Sequence, residues 1–513
     1  MVGEEKKAGF STGKRVGLIL GPVCFLSILA GPSPDGLGLE GQRTAALAAL
    51  MVCWWISEAI PLAATALIPL GFFPLLGVMP AKEVSAAYGN PNIFLFAGGF
   101  FIAMAMQKWN LHERMALNVV RLTGSRPANL VGGFMLATAF LSMWISNTAT
   151  AVMMLPIALA VIETIKGSAK GRGADSFAVC VLLGIAYSAS IGGISTLIGT
   201  PPNGVFLSQL AAMYPEAGEI GFLQWMLVGL PLSAVLLPVT WLLLTRVLFR
   251  FEALSMAGVG RVIEDRLRAL GRMNRGERTV LTVWLVTAVA WIFKSDIDLG
   301  AFVVPGWARW FPEAGGIHNG TIAMVSAVVL FVLPVDLKKQ EFALDWAWAK
   351  RIPWDILLLF GGGLALAAGF DQSGLVKWVG EQLTALEGLP PILVIACIAL
   401  LLTFVTELTS NVATAAIMMP ILGGALAPAL GLHPLLLMIP AAISASCAFM
   451  LPVATPPNAI VFGGGHVSVP QMVRAGFGLN LISVVLVTLI TYYLAVPVFD
   501  ISIGTLPAWA ERH

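Results

Sequence analysis

From Val16 to Val498 the chain keeps returning to apolar runs of about 17 to 25 residues, the length a helix needs to cross the hydrocarbon of a bilayer. Gly- and Pro-rich breaks separate the runs, and no polar stretch is long enough for a soluble domain. With 58% hydrophobic and 11% charged residues over 513 positions, a single water-soluble core is excluded. The chain reads as one all-α polytopic membrane unit.

The remaining composition narrows the chemistry. A net charge of +2 gives no reason to expect a nucleic-acid partner. Cys24, Cys53, Cys180, Cys397 and Cys447 fall in apolar runs without close spacing, which implies neither disulfide nor zinc site. His112, His318, His433, His466 and His513 are scattered at ends and loops, without metal-ligand spacing. No nucleophile–base pair, paired-acid motif or phosphate loop stands out, so the chain is expected not to be an enzyme. Trp54, Trp55, Trp346 and Trp348 read as interfacial anchors or core. The N-terminus superficially resembles a signal peptide, but lacks a small-residue cleavage site before Gly31-Pro32 and reads as a retained first helix.

Segmentation gives eleven crossings, at about 16-30, 43-60, 61-79, 91-108, 175-212, 222-248, 279-294, 318-335, 354-371, 434-463 and 475-498. Two further stretches, 129-165 and 390-430, are too long for one helix and carry a polar triplet at their middles. Each reads as two arms joined at a turn, returning the chain to the side it came from. With a cytoplasmic N-terminus, this topology puts 24 of the 30 Lys and Arg inside and leaves six outside: Arg43, Lys82, Lys294, Arg309, Lys377 and Arg512. A single crossing at 129-165 would instead split the basic loops 108-128 and 166-172 between opposite faces. Arms of about 17 residues with a polar tip favour re-entry into a protein-lined cavity.

The halves repeat one another. Asn147–Ile157 (NTATAVMMLPI) and Asn411–Ile421 (NVATAAIMMPI) share 7 of 11 positions at an offset of 264. Leu95-Phe96-Ala97-Gly98-Gly99 matches Leu359-Phe360-Gly361-Gly362-Gly363 at the same offset, and Gly199-Thr200-Pro201-Pro202-Asn203 matches Ala454-Thr455-Pro456-Pro457-Asn458 at 255. Each repeat holds an odd number of crossings, so the second copy enters from the opposite face. Inverted repeats with broken helices at the midplane are the architecture of secondary transporters.

Polar residues in membrane helices most often bond a neighbouring helix. Here they recur in pairs beside Gly and Pro, which favours a functional reading. Proline is accepted at the first turn of a helix, so Thr200-Pro201-Pro202 and Thr455-Pro456-Pro457 predict half-helix starts within the membrane, and both triplets resemble N-caps. Four helix starts would aim N–H groups and positive dipole ends at one centre, an anion site. No Lys or Arg lies between Arg126 and Lys166, Arg172 and Arg246, or Lys377 and Arg474, so a multiply charged anion there needs co-bound cations. Backbone carbonyls with Ser, Thr and Asn oxygens can ligate sodium, and they can equally satisfy the broken backbone. Glu407 is the only carboxylate near a triplet in either doubled segment and reads as a structural hydrogen-bonder; Glu58 and Glu163 lie near segment ends.

These residues resemble the divalent anion/sodium symporter family, which includes dicarboxylate, citrate and sulfate transporters. Ser146-Asn147-Thr148 and Ser410-Asn411-Val412 are similar to its paired Ser-Asn-Thr motifs, and the run from Ala445 to Val461 is similar to its C-terminal signature. The resemblance implies a homodimer of eleven-helix protomers with two re-entrant hairpins, scaffold and transport domains, and elevator-type alternating access. The first sodium site would use Ser142, Ser146, Asn147 and Gly199; the second, Thr406, Thr409, Asn411 and Ala454. Substrate carboxylates would meet Asn147, Thr148, Thr200, Pro201, Asn411, Val412, Thr455 and Pro456. Val412 departs from the family's Thr, removing one donor and leaving the dianion's identity open. Thr409 adds an oxygen where a small apolar residue is common.

The expected organisation is a cytoplasmic segment at 1-15, scaffold helices at 16-128, the first hairpin and transport helices at 129-249 and a basic cytoplasmic linker at 250-278. Further scaffold helices follow at 279-389, the second hairpin and transport helices at 390-499, and an extracytoplasmic tail at 500-513. The expected function is sodium symport of a C4-dicarboxylate (succinate, malate, fumarate) across the inner (plasma) membrane, with Na+ as co-transported ion. The alternatives are a sulfate or tricarboxylate symporter, a sodium-independent dicarboxylate exchanger, and an ion/proton antiporter or metalloid exporter, which would be expected to place Asp in its broken helices. A passive channel and a membrane-embedded enzyme fit less well.

Overall fold

A computed structural model describes residues 12–124, 126–168, 172–251, 254, 258–298, 302–311, 316–382 and 388–511. Lys6, Lys7, Lys170 and Arg512 of the charge count, His513 and most of segment 1-15 lie outside these residues.

The chain is helical almost throughout, because in lipid each backbone N–H and C=O must be bonded within the protein. Helices α1 (Thr12–Ala30) and α2 (Leu39–Ser57) pack side by side. The 61-79 crossing is two short helices, α3 (Leu62–Thr65) and α4 (Ile68–Leu76), followed by α5 (Ala81–Ala87). Helix α6 (Pro91–Lys108) starts where Asn90 accepts the Asn92 amide and Pro91 takes the first position, which needs no donor. Amphipathic α7 (Leu111–Leu122) leads to the first doubled segment, α8 (Pro127–Ser142) and α9 (Asn147–Ser168), with its tip at 143–146. Helices α10 (Arg172–Ile194) and α11 (Pro201–Met213) follow, with the break expected in the 175-212 segment lying at 195–200. Helices α12 (Phe222–Leu242) and α13 (Val259–Ala269) precede α14 (Arg275–Ile292), whose start is a capping box: Asn274 and Glu277 exchange side chain-to-backbone bonds of 2.8 and 2.7 Å.

The second half repeats the plan. Helices α15 (Asn319–Val332), α16 (Trp346–Ala349), α17 (Trp354–Gln372) and α18 (Leu375–Gln382) lead to the second doubled segment. Its arms are α19 (Pro391–Val405) and α20 (Asn411–Met419), which runs on through a π-helical stretch, Pro420–Leu426, into α21 (Ala427–Ala429). The π-helical stretch begins at a proline that cannot donate to the ladder. The broken crossing is α22 (Pro434–Ser444) and α23 (Pro456–Gly463), interrupted at 445–455; α24 (Val469–Ile490) and α25 (Val496–Val498) close the bundle. Two two-stranded ribbons, at 297–304 and 334–342, sit in connections.

Among the described residues, eight helices are long and apolar enough to cross a membrane, with five shorter apolar ones of 10–17 residues. Their burial differs sharply. The α10 window is 100% buried, enclosed by α8, α9, α12 and α23, whereas that of α1 is 11% buried and presents its sides outward. Helix α10 is thus the centre of the bundle, while the α9 window of the first doubled segment is 44% buried. In both halves the carbonyls at the break are covered by a glycine of the helix that follows the broken pair: a methyl group at Gly229 would run into Ile194 and Ser195, and one at Gly476 into Phe449.

Ion pairs tie the connections together. Arg114 on α7 grips Glu277 (Nε to Oε1, 2.6 Å) and also donates to the Leu270 and Gly271 carbonyls. Lys108 pairs with Asp345 at 2.8 Å. Glu219, in the turn before α12, pairs with Lys294 and His318 and accepts the Asn319 amide.

Candidate functional site

At the tip of the first doubled segment, Ser142 Oγ lies 2.6 Å from Asn147 Oδ1 and 2.7 Å from the Ala189 carbonyl. One hydroxyl proton cannot serve two acceptors. The Gly199 carbonyl joins them, 3.2 Å from the same end of the Asn147 amide. Two states satisfy this acceptor cluster. The amide can turn, so that Nδ2 lies 3.0, 2.6 and 3.2 Å from Ala189 O, Ser142 Oγ and Gly199 O and shares its two N–H groups among them; or a cation can sit among the four oxygens. Neutral hard oxygens suit sodium. Gly193 makes the approach possible, since a Cβ there would lie 2.5 Å from Asn147 Oδ1.

The second half repeats three of these four oxygens, without a counterpart of the Gly199 carbonyl. Thr406 Oγ1 lies 2.7 Å from Asn411 Oδ1 and 3.1 Å from the Ala445 carbonyl. Thr406 and Ser142 are both fully buried. Each break is closed in the same way too. Asn203 Nδ2 donates to the Gly193 and Thr196 carbonyls (3.5 and 2.8 Å), and Asn458 Nδ2 donates to the Ala448 and Leu451 carbonyls (3.2 and 3.0 Å). The last residue of each Thr-Pro-Pro-Asn motif is thus a clamp holding the unwound turn ahead of its own half-helix.

Pro201 and Pro456 stand in the first turns of α11 and α23, as expected. Side-chain capping occurs at only two of the four helix starts. Ser146 Oγ accepts the Ala149 amide at 3.4 Å and Thr455 Oγ1 accepts the Asn458 amide at 3.3 Å, whereas Ser410 and Thr200 make no such bond. The Thr200 hydroxyl is instead paired with Ser446, 3.3 Å away on the opposite break.

The cation residues expected from the sequence separate into two groups. Ser142, Asn147 and Gly199 converge, as do Thr406 and Asn411. Ser146 acts as a cap, and the Thr409 hydroxyl points elsewhere, donating to the Val405 carbonyl and pairing with Thr414 at 2.6 Å. The buried Ala454 sends its amide to Leu451 O. Of the expected substrate residues, Thr148 and Pro456 are exposed, Asn147, Pro201, Asn411 and Val412 half-buried, and Thr200 and Thr455 buried. Sequence reasoning missed Ala189 and Ala445, which contribute only carbonyls, and Ser446, which has no repeat partner in a recognised motif. The Asn203 and Asn458 clamps had a signal, their place at the end of both duplicated Pro-Pro motifs.

All of this arrangement but the first residue of α1 falls within residues 13–499, which match the family model described as "Sodium:sulfate symporter transmembrane region". The chain belongs to this family. It is a membrane transporter, and the reading that set enzymes aside holds. Among its relatives, a protein of Staphylococcus saprophyticus named "Sodium-dependent dicarboxylate transporter SdcS" is 42% identical over 98% of this chain and 95% of its own length. The protein of the same name from Staphylococcus aureus strain MRSA252 is 43% identical, with the same coverage. The fold is shared with two solved transporters. Alcanivorax borkumensis YdaH aligns with a TM-score of 0.55 at 12% identity, over 94% of this chain and 98% of its own. Neisseria gonorrhoeae MtrF aligns at 0.56 and 11%, over 95% and 97%.

Proposed function

We propose that this family member couples sodium entry to uptake of a C4-dicarboxylate such as succinate, malate or fumarate. The observation that carries the proposal is the duplicated acceptor cluster set in segments free of Lys and Arg, in a chain 42% identical to a named sodium-dependent dicarboxylate transporter. Without cationic side chains, a dianion at the facing half-helix starts needs co-bound cations to offset its charge.

In this reading the first sodium lies among Ser142, Asn147, Gly199 and the added Ala189 carbonyl, and the second among Thr406, Asn411 and the added Ala445 carbonyl. The Ser146 hydroxyl is engaged as a cap and the Thr409 hydroxyl with Val405 and Thr414, and Ala454 offers only its backbone. The substrate carboxylates meet Asn147, Thr148, Thr200 and Pro201 from one half and Asn411, Val412, Thr455 and Pro456 from the other. The halves are inverted copies, the doubled segments are re-entrant hairpins, and segments 129-249 and 390-499 move as an elevator against a scaffold of 16-128 and 279-389. Two such chains form the dimer, in the plasma membrane, with the N-terminus and the basic linker 250-278 cytoplasmic.

The test is radiolabelled succinate uptake by proteoliposomes with and without an inward sodium gradient, competed by malate, fumarate, citrate and sulfate. Sodium-driven uptake blocked by the C4 acids is expected. Uptake driven only by internal dicarboxylate would replace symport with exchange, and competition by sulfate alone would follow the description of the family model instead.

A further inference from the structure

One repeated block lies outside the acceptor clusters: Leu95-Phe96-Ala97-Gly98-Gly99 on α6 and Leu359-Phe360-Gly361-Gly362-Gly363 on α17. Its two phenylalanines meet. Phe96 and Phe360 are buried edge to face, with ring centroids 5.1 Å apart at 88°. Together they close on Gly204, the residue after the Asn203 clamp. A Cβ there would lie 2.5 Å from the Phe96 ring and 2.6 Å from that of Phe360. The close approach continues on either side. Asn92 of α6 donates to the Leu207 carbonyl of α11 at 3.4 Å, a Cβ at Gly99 would lie 3.4 Å from Ile198, and one at Gly363 would lie 3.3 Å from Gln209 of α11. Helices α6 and α17 thus form a fitted bed for the first break and for α11.

The second repeat is bare where the first is covered. Helix α23 packs on α9 and α10, and Ala459, the counterpart of Gly204 at an offset of 255, is exposed. Three more aligned pairs show the same contrast. Ile198 is 6% exposed and its counterpart Val453 83%; Trp144 is 9% exposed and Leu408 75%; Leu207 is buried and Phe462 exposed. All four pairs differ in one direction, so the asymmetry belongs to the conformation rather than to single side chains. An inverted repeat has two arrangements in which its halves exchange roles, and packed interfaces switch between discrete arrangements. The aromatic pair takes one ring from each repeat, so in the exchanged arrangement it meets α23 in place of α11.

We propose that Phe96 and Phe360 form one seat used in turn by the two repeats. Gly204 occupies it in this structure and Ala459 in the opposite access state, and the methyl group that distinguishes them sets the balance between the states. The proposal rests on the alternating-access reading above. With the N-terminus cytoplasmic, α11 is the outer half of its crossing and α23 the cytoplasmic half, so here the seat holds the site shut from outside. Ala459 fills the seat less closely, because it carries the Cβ that would collide at Gly204. Both rings are positioning residues, acting through the two half-helices.

The experiment uses the full chain in lipid nanodiscs, with its five native cysteines replaced by alanine and one reporter added: Val453→Cys, bare in this state, or Ile198→Cys, covered in it. The ratio of their maleimide labelling rates, Ile198→Cys over Val453→Cys, follows the balance between the states. Gly204→Ala and Ala459→Gly are each expected to raise that ratio about fivefold or more, the first by unseating this state and the second by fitting the other. In a Phe96→Leu background, which enlarges the seat, both effects fall to within about twofold. The Ala459→Gly arm separates a seat from ordinary packing, since Ala459 is exposed here and has no cover to lose. An unchanged ratio in Ala459→Gly overturns the proposal, as does a rise that persists undiminished in the Phe96→Leu background. If Gly204→Ala does not fold, Ala459→Gly decides alone. A wild type without succinate uptake would fail the reading above and the seat with it, whereas a wild type that transports while its variants keep the wild-type ratio overturns only the seat.

Discussion

Thr200 and Ser446, 246 residues apart in the chain, face one another hydroxyl to hydroxyl at 3.3 Å, so that the break in one repeat rests on the break in the other. Both are buried, and each sits where a helix is interrupted. The contact joins the start of α11 to the unwound turn that follows α22. Losing this contact disturbs both at once: Ser446→Ala is expected to weaken succinate binding and sodium stabilisation together, read as parallel shifts in substrate KM and half-saturating sodium.

The clamps of the two breaks are equivalent in their bonds, so their removal is expected to have similar cost. Asn203→Leu and Asn458→Leu each strip two turn carbonyls of a buried donor, a loss of about 1 to 3 kcal/mol. Thermal unfolding in detergent measures it, and a large cost at one site with none at the other would argue against equivalent breaks.

Val412 carries the asymmetry between the motifs. Restoring a hydroxyl with Val412→Thr adds a donor worth about 0.5 to 1.5 kcal/mol, so the succinate KM should fall about two- to tenfold with half-saturating sodium unchanged. Initial rates over a succinate series at fixed saturating sodium are the measurement. A rise in KM would mean that the apolar surface is itself the recognition element.

Sodium should stabilise the folded protein, because an ion that binds only the folded clusters shifts unfolding by mass action. In wild type the melting temperature is expected to climb with sodium and not with potassium. Asn147→Ala and Asn411→Ala each remove one cluster's amide oxygen and should each abolish part of the rise. A rise that survives both substitutions would place the ions elsewhere.

Arg114 and Glu277 clamp α7 to the start of α14, with Glu277 only 1% exposed. Arg114→Ala leaves that carboxylate buried without its cation and is expected to destabilise the protein by about 3 to 5 kcal/mol. The double variant Arg114→Met/Glu277→Gln should recover part of the loss, as seen by chemical or thermal unfolding.

His112, at the start of α7, is pushed below its ordinary pKa of 6.5 by burial, against a smaller opposing pull from the Met106 carbonyl. The unfolded chain therefore takes up a proton at a higher pH than the folded one does. This contribution to stability is complete above about 6.5 and is lost as pH falls toward the folded pKa. His112→Gln should flatten the fall in melting temperature across that acid range.

The helices and the duplicated motifs were legible because their signals are local. Apolar run length set the crossings, Pro201 and Pro456 marked half-helix starts, and the repeat at offsets of 264 and 255 picked out Asn147 with Asn411 and Asn203 with Asn458. What stayed hidden depends on groups without a sequence signature. The Ala189 and Ala445 carbonyls complete the acceptor clusters, but any residue type carries a carbonyl, and only packing says which one faces inward. Likewise Ser146 and Ser410 look alike in sequence; the first caps its helix and the second does not.

Taken alone, the sequence determines a polytopic helical protein with two doubled segments and two broken crossings, because hydrophobic length and proline chemistry act within a few residues of themselves. Which oxygens converge, that Thr200 meets Ser446, and that Glu407 grips the turn at 449–451 are decided only by the tertiary structure. Those contacts join segments tens to hundreds of residues apart, and a bond of about 3 Å depends on how every intervening helix is packed.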